Sequence, residues 1–338
     1  MGKSGPNLRR SLRLRLPCGV GRFSSLSIMQ TSLASTQDPI SSPAMGARPA
    51  LDVRRLSHAF GVEILGLDLR ERQSDATIQE IRRLWNENGI VLFRAQALSV
   101  QEHLAFSRRF GELDHHESLV PFRHPEHPEL LVLSTIPVNG KPSASENVGR
   151  HWHSDLSYTT RPPLGSLFHA HVLPEVGGDT VFTSMAAAYA ALSDTMQSMI
   201  SSLHVVHDYM GVEAMKKRDP ALVAELRKAN PPVAQPLVRM HEETGRPCLY
   251  LSEQMTKRIV GMTERESAPL LRFLFEHSVD PMFTYRHRWS RHDLLMWDNR
   301  STMHLALADF DTGAHRYCMR TTVLGSPSGV VFEERAAR

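Results

Sequence analysis

The sequence predicts a mainly β protein: a double-sheet jelly roll with helices gathered at its flanks, forming one folded domain with an extension at either end. Three observations predict it. Short apolar runs rich in β-branched and aromatic residues recur through the middle and end of the chain, separated by Pro and Gly clusters. Helical periodicity is confined to a few stretches and does not alternate with strands as βα units would. The length, 338 residues, is generous for one domain and short for two large ones, and no internal repeat divides it.

Residues 1–48 read as a disordered basic, Ser-rich extension. Lys3, Arg9, Arg10, Arg13, Arg15 and Arg22 all precede the first acidic residue, Asp38, and Pro6, Gly19 and Gly21 interrupt any amphipathic helix. A mitochondrial transit peptide, or a start placed too early with Met29 or Met45 as the later one, are the alternatives. The folded domain is expected over 49–328, its texture changing at Leu51. Ile78, Ile81, Leu84 and Trp85 fall at helical spacing between Ser74 and Gly89. Ile90 to Phe93 follows as a buried strand. Ser99 and Glu102 make a capping-box pattern for a second helix carrying Leu104, Phe106 and Phe110. Strands are expected at Leu130–Leu133, Leu167–Val172 and Thr180–Phe182, then a helical patch from Met185 to Leu203. A helix opening on Thr263 and Glu266 runs to about His277, and strands return at Phe283–Trp289, Leu294–Trp297 and Tyr317–Leu324. Residues 329–338 are expected as a tail.

Composition excludes several function classes. The formal charge of +3 comes largely from the N-terminal extension, so the body gives no electrostatic case for a nucleic-acid partner. No apolar run approaches the roughly 20 residues that cross a bilayer. Cys18, Cys248 and Cys318 are too few and too scattered for a disulfide framework, which points to a reducing compartment. A cytoplasmic protein is expected, or a mitochondrial one if the extension is a transit peptide. A homo-oligomer stays open.

The sharpest local feature is His151-Trp152-His153-Ser154-Asp155. On an extended strand, residues two apart project from one face, so His153 and Asp155 could reach one metal ion, with a distant histidine completing the set. Two histidines and a carboxylate on one face of an octahedron leave the remaining positions open, the arrangement of non-heme Fe(II) oxygenases. Among 18 histidines such a pair is weak on its own. A second cluster, His115, His116, His124 and His127, has no cysteine beside it and reads as solvated loop histidines rather than a zinc site.

Three segments add specificity: Trp152-His153-Ser154-Asp155, then Gly177-Gly178-Asp179-Thr180, then Trp297 through His304. In order and near-matching spacing they resemble the taurine dioxygenase (TauD/TfdA) family, and the similarity extends from about Leu51 to Gly325. The resemblance implies a double-stranded β-helix (jelly-roll, cupin-like) core. It also implies Fe(II) held by His153, Asp155 and His304, and 2-oxoglutarate held at its distal carboxylate by Thr180 and Arg316, with O2 as the other cosubstrate. The interval from His304 to Arg316 is one residue longer than in the taurine enzyme, so His315 competes for that alignment. The match of Arg320 to Gly325 with the family's ending favours Arg316, and Arg316 and Arg320, four apart, share a strand face.

Arg320 corresponds to the residue that meets the substrate's acidic group, which implies a small anionic substrate such as a sulfonate, sulfate ester or aryloxyalkanoate. His116 falls where the family places a substrate-contacting histidine. Leu119, Gly149 and Met255 stand where the taurine enzyme's pattern has tyrosine, asparagine and phenylalanine, which disfavours taurine itself. Trp152 and Trp297 flank the metal segments as packing. The loops from His116 to Ser145 and Met210 to Val233 are the expected specificity elements. Taurine dioxygenase proper, a metal-dependent hydrolase and a non-catalytic binding member are the alternatives; a hydrolase would have no need of Thr180 or Arg316.

Overall fold

The computed structural model describes residues 50–137, 149–212, 215, 218–311 and 313–333. The extension expected over residues 1–48 lies outside them, as do parts of both expected specificity loops.

β1 (Asp52–Arg55) and β2 (Val62–Leu65) pair antiparallel. α1 (Asp75–Asn88) begins where the Ser74 side chain accepts from the Thr77 N–H and stops at Gly89, whose φ of 70° suits a residue without Cβ. β3 (Ile90–Phe93) follows at once. α2 (Val100–Ser107) opens on the expected capping box of Ser99 and Glu102. It ends before Phe110, which is nonetheless buried edge-on against Trp85 and Phe106. Next come β4 (Leu130–Ser134), β5 (Gly165–Val172) and β6 (Thr180–Ser184). The helical patch expected from Met185 to Leu203 is two helices, α3 (Met185–Ala190) and α4 (Asp194–Ile200), because Ser193 caps a fresh start.

Short elements fill the region that periodicity left blank: β7 (His204–His207), α5 (Pro220–Ala229), β8 (Val233–Pro236), β9 (Val238–Met240), β10 (Pro247–Leu249) and β11 (Thr256–Ile259). α6 (Glu264–Ser278) carries the second expected capping box. β12 (Thr284–His287), β13 (Leu294–Asp298), β14 (Thr302–Ala306) and β15 (Tyr317–Val323) complete the main sheets. β16 (Val330–Val331) pairs with β8, and the Phe332 N–H donates to the Pro232 carbonyl. The stretch expected as a tail from 329 therefore begins as sheet; two valines were too short a run to signal it.

A seven-stranded sheet has the order β1-β2-β3-β13-β5-β15-β4, antiparallel except for the β2–β3 pair. Facing it is the three-stranded sheet β12-β6-β14. Four- and two-stranded sheets, β11-β7-β8-β16 and β10-β9, belong to the outer part. The period of two sorts side chains between layers. Val91, Phe93, Leu167, Leu294, Met296 and Met319 look toward α1 and α2. Their neighbours Ile90, Leu92, Phe168, Leu295, Trp297 and Cys318 look inward onto Phe182 of β6. Gly165 permits the closest approach: a Cβ there would collide with the Trp85 ring, so α1 could not lie flush on β5. Each large side chain buried in these layers contributes roughly 1.5–3 kcal/mol, and the inward parity of β5, β6, β14 and β15 aims their polar members at one cavity.

Candidate metal centre and active site

His304 sits on β14, on the inward face beside Phe182, with which its ring stacks at 5.8 Å. His153 pairs with it as an isolated bridge: the His153 N–H donates to the His304 carbonyl at 3.0 Å, and the reverse bond is 2.8 Å. The expected extended strand through Asp155 is shorter than the spacing argument assumed. Only His153 is strand-like; Asp155 already lies in a turn, and Leu156 takes a positive φ of 47°. The two side chains converge even so, because the turn folds the carboxylate back. His153 Nε2 is 3.8 Å from Asp155 Oδ1, the two imidazole centroids are 4.2 Å apart, and one donor atom from each of the three residues lies within 4.8 Å of the others.

The chemistry of this donor set fits a divalent metal. His153 Nδ1 is 2.7 Å from the His151 carbonyl, so it carries the proton and leaves Nε2 as a bare donor facing Asp155. His304 Nδ1 is buried and has no hydrogen-bond partner among the described residues. Burial pushes the pKa of both histidines down, well down for His304, keeping them neutral. For Asp155 burial works upward, but Arg320, then His304, His153 and the Ser166 hydroxyl outweigh it and hold the carboxyl well below its usual range. Two neutral imidazoles and one carboxylate form a hard-to-borderline facial set suited to Fe(II), with no thiolate to favour a softer site.

These residues open onto a cavity of about 460 Å³. Thr180, Arg316 and Arg320 are on the same wall, as the strand parity required. Among the described residues, Arg150, Arg218, Arg316 and Arg320 face the cavity against a single acidic lining residue, Asp155, so it is built for anions. The Arg316 guanidinium lies 5.4 Å from the Phe168 ring centroid, and its Nε is buried without a partner among the described residues. Its backbone is clamped by Thr135, which donates from N–H to the Arg316 carbonyl and accepts from the Arg316 N–H, both at 2.9 Å. Arg320 donates to Asp155 Oδ1 at 2.6 Å through one terminal nitrogen, while its Nε is likewise unpartnered.

Leu119, Gly149 and Met255 all line the cavity, as does Trp152. His116 does not line it. Contrary to the solvated-loop expectation it is buried, at φ 52°, with both ring nitrogens unpartnered in hydrogen bonding; burial and then the Arg320 charge push its pKa down to about 4. It is near enough to Arg320 to feel its charge. His115, His124 and His127 are on or near the surface and join no metal cluster among the described residues.

Sequence reasoning missed five participants. Trp289 donates from Nε1 to Thr180 Oγ1 at 3.0 Å and packs 4.8 Å from Phe168, beneath Arg316. Ser166 donates to the Asp155 carboxylate, and Asn299 donates to Ser166 and accepts from the Asp155 backbone N–H. Asn299 stood inside a recognised segment, but its direction toward Asp155 depends on the β13–β14 turn, which periodicity does not describe. The stacked pair Tyr158 and Tyr209, 4.6 Å apart, forms part of the outer wall.

The family model described as "Taurine catabolism dioxygenase TauD, TfdA family" matches residues 52–322. The chain belongs to the TauD/TfdA family. It is 37% identical over 276 residues to the alpha-ketoglutarate-dependent 2,4-dichlorophenoxyacetate dioxygenase of Cupriavidus pinatubonensis, a match covering 79% of this chain and 94% of that protein. Among solved structures it is similar to AAD-2 in complex with Mn(II) and N-oxalylglycine, with 31% identity, a TM-score of 0.71 and coverage of 83% of this chain and 100% of that one. A taurine dioxygenase from Burkholderia xenovorans gives 32% identity, a TM-score of 0.71 and coverage of 85% and 96%. This TauD/TfdA protein is a 2-oxoglutarate-dependent dioxygenase with a jelly-roll core, and Fe(II), 2-oxoglutarate and O2 are its cofactor and cosubstrates.

Proposed function

We propose that His153, Asp155 and His304 hold the iron, that Thr180 and Arg316 grip the distal carboxylate of 2-oxoglutarate, and that Arg320 takes the acidic group of a small organic substrate. The observation that carries this reading is the placing of the His-Asp-His set on the wall of the same cavity as Thr180, Arg316 and Arg320. Iron, with 2-oxoglutarate and O2, supplies the oxidation that hydroxylates a C–H bond and yields succinate and carbon dioxide.

The chain's own part is binding, orientation and exclusion of water. Arg316, braced on Phe168 and clamped at its backbone by Thr135, presents a fork that matches a carboxylate. Trp289 fills one lone pair of the Thr180 hydroxyl and leaves its proton free to point at that carboxylate. Arg320 keeps one nitrogen on Asp155 and has a second donor to spare for a substrate anion, with His116 near enough to feel its charge. Leu119, Phe122, Leu156, Tyr158, Tyr209 and Met255 make the rest of the wall largely apolar, which favours an anion with a sizeable apolar body over taurine. Cys248 and Cys318 are free, buried thiols, which supports a reducing compartment, and we place the enzyme in the cytoplasm.

Anaerobic Fe(II) plus 2-oxoglutarate should give a visible charge-transfer band that His153→Ala and Asp155→Ala abolish. Succinate release should then sort a panel of aryloxyalkanoates, alkyl sulfates and sulfonates. A band that persists in both variants would overturn the metal assignment, and equal turnover of neutral analogues would overturn the role of Arg320.

A further inference from the structure

We propose that Ser166 and Asn299 are positioning residues that aim the Asp155 carboxylate, through a hydrogen-bond relay whose donor and acceptor order is imposed from its far end at Trp297. This rests on Asp155 being a metal ligand.

The relay starts at a group with no choice. An indole N–H only donates, and Trp297 Nε1 lies 3.0 Å from Asn299 Oδ1, so the amide is fixed with its oxygen toward the indole. Its NH2 must then face the other way, where Asn299 Nδ2 donates to Ser166 Oγ at 3.2 Å. With that lone pair engaged, the one hydroxyl proton of Ser166 goes to Asp155 Oδ2 at 2.9 Å. Asn299 also clasps the chain on either side of the carboxylate: Oδ1 accepts from the Asp155 N–H at 3.3 Å, and the Asn299 carbonyl accepts from Ser154 Oγ at 2.6 Å.

All four side chains are buried, Ser166 completely, so no water competes for these bonds. They come from three separate places, the β13–β14 turn, β5 and the turn after His153, so the relay ties the metal-bearing turn to the rigid sheet. Its geometric consequence is specific. Oδ2 is occupied by Ser166, and Oδ1, which accepts from Arg320 at 2.6 Å, is the oxygen facing His153 Nε2. A carboxylate swings easily about its last torsion; the relay on Oδ2, with Arg320 on Oδ1, removes that freedom before any ion arrives.

The test is metal binding by metal-free protein, titrated anaerobically with Co(II) and read by its ligand-field absorption. Ser166→Ala should weaken binding by about 10- to 100-fold, the usual effect of removing a group that orients a ligand, and should alter the absorption spectrum. Asn299→Ala should act in the same direction. Because the two residues act in series, the double variant should be no more than about 3-fold weaker than the worse single one, whereas independent packing losses would multiply. Ser166→Thr, which keeps the hydroxyl, should restore affinity. Should Asn299→Ala fail to fold, Trp297→Phe removes the N–H that fixes the amide, with part of the ring, and should also weaken Co(II) binding. Wild-type affinity and spectrum in Ser166→Ala, or multiplicative losses in the double variant, would overturn the relay while Asp155→Ala still abolished binding. If Asp155→Ala itself bound Co(II) like wild type, the metal assignment would fall instead.

Discussion

Replacing Arg316 with lysine keeps the positive charge and removes the fork. Arg316 has a guanidinium braced on Phe168, an unpartnered buried Nε and a backbone fixed by Thr135, so the group is held in place before a ligand arrives. A carboxylate there can take two parallel N–H donors from arginine and a single directed one from lysine. Losing one hydrogen bond to a charged group costs roughly 1.5–3 kcal/mol, and at about 1.36 kcal/mol per tenfold this weakens 2-oxoglutarate binding about 10- to 150-fold. Trp289→Phe loses the N–H to Thr180 together with part of the ring packed on Phe168; the neutral hydrogen bond alone is worth roughly 0.5–1.5 kcal/mol, a loss of about 2- to 13-fold. The assay is anaerobic titration of the Fe(II) enzyme with 2-oxoglutarate, followed by the charge-transfer band, together with Fe(II) affinity measured separately. Arg316→Lys binding 2-oxoglutarate like wild type, or losing Fe(II) in the same proportion, would refute the assignment.

Two further outcomes follow from the cavity and from the buried histidines. Introducing Leu119→Tyr, Gly149→Asn and Met255→Phe together should shift succinate release toward taurine and away from bulkier acids. At a φ of 77° asparagine is among the least strained replacements for Gly149, and a Cβ there would make ordinary contacts at 3.6 Å with Ala306 and His153; an unchanged substrate ratio would refute the role of these positions. His103 and His207 are buried and neutral, their pKa values pushed down by burial to about 3 and about 4. The unfolded chain takes up those protons near pH 6.5, so their contribution to stability is complete above that pH and is lost as the pH falls toward 4. These two histidines alone take up about two protons on unfolding, so stability should drop by at least roughly 2.7 kcal/mol per pH unit in the steep region, and a melting temperature that stays flat from pH 7 to 5 would contradict this.

What was legible in the sequence tracks the reach of each signal. Capping boxes at Ser99 and Thr263 and the glycine after Asn88 are local, and each marks a real helix end. Strands buried on both faces, such as Ile90 to Phe93, announce themselves by unbroken apolar runs. By contrast β8, β9, β10 and β16 are two to four residues long and their burial depends on partners far along the chain, so no window contains the information. The proposed metal triad was legible through three segments in register rather than through its own spacing. The assumption behind that spacing, a strand through Asp155, gave the right convergence for a partly wrong reason: the bridge to His304 and the following turn bring the groups together.

The substrate is harder to read than the metal for a structural reason. The residues proposed to meet iron and 2-oxoglutarate are mainly on inward strand faces, where a period of two fixes direction: Thr180 on β6, His304 on β14, and Arg316 beside β15. The outer wall comes from segments without any period. Leu119 belongs to a 3-10 turn with a kinked backbone, Gly149 to a loop, and Tyr209 to a short turn after β7. Arg320 stands between the two regimes: strand parity fixes where it points, and Asp155 already occupies one of its donors. An acidic substrate bound at Arg320 would therefore sit one side chain away from a metal ligand. That proximity gives the chain a direct physical route by which the substrate's charge can be felt at the carboxylate that the Ser166 hydroxyl holds from the other side.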